Sequence, residues 1–183
     1  MSRTLARAFA HDPMLEWLLP DEGTRSELLA RYFTALHDLH YGPHGRCETT
    51  GGGAAFWFPP KGDGAGEPGP ELLEKLGDVF GDQASVLQDS YEVISAETPS
   101  EPHWYLAVIG SDPAARGQGH GAALLRSGLA LADAAGAPAY LEASTIDTIP
   151  FYKHFGFTVR RELRLPHGGV SVWPMWREAV PAR

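Results

Sequence analysis

The chain has 183 residues, enough to bury one sizeable core but few for two domains. With 43% hydrophobic and 21% charged residues, its composition is that of an ordinary soluble globular protein. The formal net charge of -8 argues against a dedicated binder of nucleic acid or of anionic membranes, because both need a basic surface.

The cysteine count and the apolar segments bear on the compartment. Cys47 is the only cysteine, which excludes a disulfide framework and a thiolate metal cluster. Residues 1–20 lack the uninterrupted apolar segment of a signal peptide, and the longest apolar stretch, 129–141, is too short to span a bilayer. We therefore expect a cytoplasmic protein with no membrane partner.

Apolar spacing and chain breakers divide the first hundred residues into helices and short strands. The T-x-x-E pattern of Thr24 and Glu27 predicts a capping box near the start of the longest helix. The predicted elements are, in order, helices over about 5–19 and 21–40, two short strands around the glycines at 51–53, a surface loop over 61–70, and helices over about 70–80 and 83–97.

A buried strand followed by a glycine-rich loop dominates the second half. The segment HWYLAVIG, residues 103–110, is apolar on both faces and rich in β-formers, which predicts a central strand. The loop ARGQGHG, residues 115–121, leads into a helix that ends at Gly136. The remaining predicted elements are a strand AYLEAS, a short helix between Pro150 and Gly156, and a closing hairpin of FTVRRELRL with VSVWPMW. No repeat occurs, so we expect one α/β domain.

The glycine loop fits one of three phosphate-binding patterns. The P-loop pattern fails because no Lys-Ser or Lys-Thr follows, and the dinucleotide fingerprint fails because its third glycine comes one place too soon. The pattern R/Q-x-x-G-x-G/A fits at Arg116, Gly119 and Gly121. It resembles the coenzyme A pyrophosphate loop of the GNAT superfamily of N-acetyltransferases. The alternative is a cluster of turn glycines that caps a helix without a ligand.

A second motif strengthens the resemblance. PFYKHFGF, residues 150–157, is similar to the F-Y-x-x-x-G-F segment of the same superfamily and follows the loop by about 30 residues, with a helix and a strand between. Longer stretches resemble a subgroup that includes puromycin N-acetyltransferase. Three features depart from the family pattern: MSRT is too short to be the usual first strand, Thr148 stands where asparagine is frequent, and Ser111 where valine is common.

The resemblance implies a GNAT fold, with a mixed central sheet that is splayed between its two middle strands and helices on both faces. Residues 1–100 would form the amine side and residues 101–183 the acetyl-CoA side of a single domain. Because the first strand has no room before LARAFA, either the start is truncated or one sheet edge is left unpaired, which a second subunit could cover. We expect a monomer or a homodimer.

Two residues are predicted to carry the chemistry. Tyr152, in the second motif, would be the general acid, since a phenol can protonate a departing thiolate. Glu142 lies inside an apolar strand, where burial would raise its pKa toward the range of a general base. The structural alternatives are a packing aromatic for Tyr152 and a salt-bridged or edge-exposed carboxylate for Glu142.

The resemblance also assigns binding residues. Those predicted to contact acetyl-CoA are Ile109, Gly110, Ser111, Arg116, Gly117, Gln118, Gly119, His120, Gly121, Ala122 and Thr148. Those predicted to line the amine site are Tyr32, Phe33, Trp57, Tyr140 and Ser144. The histidines lack metal-ligand spacing, so we expect no metal.

The predicted function is transfer of an acetyl group from acetyl-CoA to a small primary amine, such as an antibiotic or nucleoside amine. Two alternatives remain open. The acceptor could be a protein N-terminus or lysine, or the chain could be an acyl-CoA-binding sensor without turnover. No nucleic-acid partner is expected.

Overall fold

The computed structural model describes residues 1–60 and 68–180, so most of the predicted loop 61–70 lies outside the described residues. The helices are α1 Ser2–Ala8, α2 Pro13–Leu18, α3 Glu22–Leu36, α4 Gly42–His44, α5 Pro70–Phe80, α6 Ala84–Glu97, α7 His120–Ala134 and α8 Ile149–His154. The strands are β1 Arg46–Thr50, β2 Gly53–Phe58, β3 Trp104–Ser111, β4 Ala139–Ala143, β5 Thr158–Val159, β6 Leu163–Arg164 and β7 Ser171–Arg177. Within these ranges no helix is long and apolar enough to cross a membrane.

The N-terminal helices differ from the prediction at their starts. The expected helix over 5–19 is two helices, because Asp12 and Pro13 begin a new one, with the Asp12 carboxylate accepting the N–H groups of Met14 and Leu15. The predicted capping box is wrong. Asp21 is the N-cap of α3 and already accepts the Gly23 N–H at 3.0 Å, so the helix begins two residues before Thr24.

The sheet has the strand order β1-β2-β3-β4-β7-β5, with β6 paired to β7. Only β3 and β4 run parallel among the described pairs, and they pair only at Trp104 with Ala139 and Tyr105 with Tyr140. Beyond that point the strands separate, and the rest of β3 pairs with β2 alone. This mixed, splayed sheet with helices on both faces confirms the predicted fold. In the described part of the chain, no strand precedes α1.

The two faces of the sheet build separate cores. On one face, Phe56 and Val108 pack under α1, α3 and α5. On the other, Trp57, Leu106 and Leu141 pack under α7 and α8. Neighbouring residues of β2 therefore enter different cores, which follows from the alternation of side chains along a strand.

Helix α7 approaches the sheet closely because of one glycine. A Cβ atom placed on Gly128 would lie 2.1 Å from Cε2 of Trp57, a side chain with 0% exposure. We predict that Gly128→Ala lowers the free energy of unfolding by about 1–3 kcal/mol through overpacking, and that adding Trp57→Phe recovers part of that loss. Urea unfolding of the single and double variants measures both effects.

Gly77→Ala in α5 is the matched control, because a Cβ there meets nothing within 4 Å. It should be neutral or slightly stabilising, since alanine is the better helix former. If Gly128→Ala is as stable as Gly77→Ala, the close packing of α7 on Trp57 is not real.

Candidate functional site

The glycine loop joins the end of β3 to the start of α7 and presents an open face. Gly117 and Gly119 have φ angles of 78° and 81°, in the left-handed region that favours glycine. A Cβ built on either residue meets nothing within 4 Å. Gly119 is the N-cap of the 15-residue α7, whose first N–H groups have no intrahelical partner. Free amides and the helix dipole together favour a bound anion here.

The base of this loop is held by the β1–β2 turn and by α1. The Asp112 N–H donates to the Gly52 carbonyl at 2.8 Å. A Cβ on Gly52 would lie 2.4 Å from the Cβ of Ala115, so the turn can approach only as glycine. Nε of Arg7 donates to the Asp112 carboxylate at 2.7 Å. The loop therefore has a fixed base below its exposed glycines.

The residues predicted to contact acetyl-CoA gather around this loop and the end of β3. Arg116, Gly117 and Gln118 are exposed at the loop tip. A Cβ on Gly121 would lie 3.4 Å from Oγ of Ser111 and 3.8 Å from the Phe151 ring, so α8 also reaches the loop. The remaining predicted contacts are Ile109 and Gly110 at the end of β3, and His120 and Ala122 in the first turn of α7.

Thr148 is occupied by its own turn. Its hydroxyl donates to the Thr145 carbonyl at 2.8 Å, within the 3₁₀ turn that precedes α8. The side chain that stands in place of the family's asparagine is thus engaged locally.

Glu142 lies on β4 at the point where β3 and β4 separate. Its Oε2 accepts a hydrogen bond from the Tyr105 hydroxyl at 2.8 Å, whereas its Oε1 is buried without a hydrogen-bond partner in the described structure. The buried Tyr140 hydroxyl lies close to Glu142 and Thr98, without a hydrogen bond of regular geometry to either. Burial raises the pKa of Glu142 to about 7, and the hydrogen bond from Tyr105 opposes that rise. The carboxylate can therefore gain and lose a proton near neutral pH.

Five of the six tyrosines of the chain form a cluster around Glu142. The hydroxyls of Tyr32 and Tyr91 lie 3.0 Å apart in a hydrogen bond. Burial raises the pKa of each phenol, and the charge of Glu142 raises those of Tyr41, Tyr91 and Tyr105 further. The members of this tyrosine cluster are Tyr32, Tyr41, Tyr91, Tyr105 and Tyr140.

Sequence reasoning missed three members of the cluster. Tyr105 could have been found from its strand, because it lies opposite Tyr140 in the parallel pair. The position of Tyr41 depends on a π-helical turn over His37–Tyr41. The spacing of apolar residues does not predict such a turn. Tyr91 comes from α6, far from both motifs, and the sequence offers no signal for it.

Asp12 acts on both Tyr32 and Tyr152, so Tyr152 lies next to the tyrosine cluster, and we call the region that these residues share with Glu142 the cleft. Tyr152 is 8% exposed, and its ring packs against Phe151 and Phe157. Burial raises its pKa, and the nearby Asp12 carboxylate raises it further. Asp12 also accepts the Ser144 hydroxyl, so it ties the start of α2 to the end of β4. Ser144 is among the predicted amine-site residues, whereas Asp12 is not.

Two predicted amine-site residues are not brought to the cleft. Trp57 has 0% exposure and packs under α7, on the opposite face of the sheet from the helices that carry Tyr32 and Tyr41. Phe33 is 1% exposed and packs behind Tyr32, with ring centroids 5.0 Å apart. Among residues 1–60 and 68–180, no three His, Cys, Asp or Glu side chains are placed to hold a metal ion.

Part of the chain matches a known protein family. Residues 84–157 match the Acetyltransferase (GNAT) family model. An uncharacterized N-acetyltransferase of Schizosaccharomyces pombe is 29% identical over 93 residues, which are 51% of this chain and 37% of that protein. The chain thus spans little more than a third of that curated relative.

Solved structures match over nearly the whole chain. A structure described as histone acetyltransferase HPA2 and related acetyltransferase, from Corynebacterium glutamicum, is 25% identical with a TM-score of 0.75, covering 98% of this chain and 89% of that one. A polyamine N-acetyltransferase of Drosophila melanogaster is 16% identical with a TM-score of 0.58, covering 95% and 90%, and shares the fold. The family match runs from the start of α6 to just beyond α8, and the two solved structures share the fold of nearly the whole chain.

Proposed function

We propose that this chain, with its GNAT acetyltransferase fold, transfers the acetyl group of acetyl-CoA to a small primary amine. The observation that carries the proposal is the buried carboxylate of Glu142. Its Oε1 has no partner and its pKa is raised to about 7, at the point where β3 leaves β4. An ionisable group in a cleft with such a pKa suits proton transfer at neutral pH.

The loop and the strand end fit acetyl-CoA. The free amides at the start of α7 would bind the pyrophosphate, with Arg116 as the adjacent cation. Beyond Tyr105, one edge of β3 has lost its strand partner, so backbone groups of Ile109, Gly110 and Ser111 would pair with the pantetheine arm. Thr148 would contribute less than the family's asparagine, because its hydroxyl is already bonded to Thr145.

The proposed reaction is a direct attack with two proton transfers. Glu142 takes a proton from the amine, directly or through water, and the amine nitrogen forms a bond to the carbonyl carbon of the thioester. A backbone N–H at the end of β3 stabilises the oxyanion. The C–S bond then breaks, and Tyr152 donates its phenolic proton to the thiolate. No acetyl-enzyme forms, and Cys47, whose pKa burial raises to about 11, has no part.

Arg116→Ala is predicted to raise the KM for acetyl-CoA about tenfold, with a smaller change in kcat, because a ground-state phosphate contact is lost. Initial rates at varied acetyl-CoA give both constants. Arg164→Ala is the matched control, since Arg164 is also exposed but lies on β6. An unchanged KM in Arg116→Ala would remove Arg116 from the phosphate site.

The proposed function is tested by following free thiol released from acetyl-CoA. The panel contains puromycin, for the subgroup resemblance, with an aminoglycoside, a diamine and a basic peptide. Release with one small amine supports the proposal. Release with the peptide alone would indicate protein acetylation. Binding of acetyl-CoA without any release would indicate a sensor, and no binding would overturn the transferase reading.

A further inference from the structure

The amine side of the cleft is polar, aromatic and anionic. Two polar atoms there are buried without a hydrogen-bond partner in the described structure, Oε1 of Glu142 and the hydroxyl of Tyr140. The rings of Tyr105 and Tyr140 lie 5.9 Å apart, and Tyr41 stacks on Phe56 at 5.3 Å. A protonated amine suits these surroundings, because it donates hydrogen bonds to a carboxylate and is attracted to aromatic faces.

Negative charge in the cleft comes from two carboxylates on opposite sides. Glu142 acts on the phenols of Tyr41 and Tyr91, and Asp12 acts on those of Tyr32 and Tyr152. Among the described residues no arginine or lysine forms a salt bridge with Glu142, whose carboxylate accepts its hydrogen bond from the Tyr105 hydroxyl.

Four basic side chains on neighbouring elements are engaged elsewhere, neutral or exposed. Arg7 pairs with Asp112 below the glycine loop. Arg25 donates hydrogen bonds to the Glu16 carboxylate and to the two backbone carbonyls that follow α2, those of Leu19 and Pro20. Burial lowers the pKa of His40, which keeps its ring neutral at pH 7. Arg160 is exposed and acts on the phenol of Tyr140, and it forms no salt bridge with Glu142 among the described residues.

We infer that the acceptor is an amine without a carboxylate beside its nitrogen: an aryl- or alkylamine, or an amino acid whose carboxyl group is blocked as an amide. A free carboxylate two bonds from the reacting nitrogen would enter next to Glu142 with no cation to pair it. Such like charges in a partly buried site repel strongly. This inference rests on the proposed function and narrows its substrate class.

The test compares three acceptors that share one skeleton: 2-phenylethylamine, phenylalanine amide and phenylalanine. The rate is thiol release from saturating acetyl-CoA, expressed as kcat/KM for the unprotonated amine, so that the different ionisation of the three amines is removed. Phenylalanine amide separates charge from bulk, because it matches phenylalanine in size. 3-Methylbutylamine, leucine amide and leucine repeat the comparison without an aromatic ring.

We expect each free acid to react 10- to 100-fold more slowly than its amide, in both series.

A second experiment changes the charge of the protein instead of the charge of the acceptor. Tyr91 is 38% exposed on α6, so Tyr91→Arg can place a cation beside the cleft, with Tyr91→Gln as the neutral control. Tyr91→Arg should lower the amide-to-acid ratio several-fold below that of Tyr91→Gln.

Each other outcome is decisive. An acid that reacts within about threefold of its amide overturns the inference while leaving the transferase intact. The same holds if Tyr91→Arg and Tyr91→Gln give equal ratios. If none of these amines, nor any member of the wider panel, releases thiol, then the proposed function fails and the inference fails with it.

Discussion

Glu142→Gln is expected to lower kcat by about 10²–10⁴-fold with little change in the KM for acetyl-CoA, because it removes a general base and leaves the cofactor contacts intact. Glutamine keeps the size of the side chain, and its amide oxygen can still accept the hydrogen bond that Tyr105 donates at 2.8 Å. Steady-state rates at saturating acetyl-CoA measure the loss.

The pH profile identifies the group. The pKa of Glu142 is raised to about 7 by burial, so the carboxylate is protonated and cannot act as base below that pH. The kcat/KM of the native chain should therefore fall as pH drops through 7, by about tenfold per unit well below it. Because the amine also titrates, the informative quantity is the ratio of native to Glu142→Gln rates, which should show this limb alone.

Glu48→Gln is the matched control. Glu48 is also a partly buried strand carboxylate, accepting from Arg46 at 2.6 Å and from Ser127 at 3.0 Å, but it lies on β1 away from the tyrosine cluster. The Glu48→Gln variant should keep the native kcat and the native fall of kcat/KM as pH drops through 7. A Glu142→Gln chain with the rate and pH profile of Glu48→Gln would show that Glu142 is a structural carboxylate.

Features that depend on residues close together in sequence could be predicted, whereas features that depend on contacts between distant residues could not. The helices, the strands and the glycine loop were predictable because their signals are local: apolar spacing, chain breakers and two short motifs. The splay of the sheet came from the resemblance alone. In the structure it rests on only two residue pairs between β3 and β4, which no sequence pattern marks.

The parts of the site that were missed depend on long-range contacts. Asp12 is the N-cap of α2, but its contact with Ser144 spans 132 residues. Tyr41 faces the cleft because α3 ends in a π-helical turn that shifts the register of its last residues. Neither effect leaves a periodicity that could be followed.

The face of the sheet on which Trp57 packs could not be predicted for a different reason. The strand GAAFWF is buried at every position, so its sequence has no polar alternation to say which face meets which helix. The face is decided by Gly128 on α7, whose missing side chain leaves room for the indole. Trp57 is therefore close in sequence to the amine-side helices, but its side chain packs on the opposite face of the sheet.

Tyr152→Phe is expected to lower kcat by about 10²-fold while the KM for acetyl-CoA and the thermal stability stay near native. The phenylalanine ring can keep the contacts with Phe151 and Phe157, at 5.3 and 6.2 Å between centroids. The hydroxyl makes no hydrogen bond to any residue of the described ranges, so its removal leaves no protein group unpaired. Only the proton for the departing thiolate is lost.

The leaving group separates the acid role from packing. Burial and the charge of Asp12 raise the pKa of Tyr152, so the phenol stays protonated across the working pH range. Removing its hydroxyl should therefore not change the pH near 7 at which kcat/KM falls. Acetyl-selenocoenzyme A releases a selenolate, a weaker base than a thiolate that departs with less need of a proton. It should restore most of the rate of Tyr152→Phe relative to the native chain, but not that of Glu142→Gln. Equal rescue of both variants, or of neither, would mean that Tyr152 only shapes the cleft.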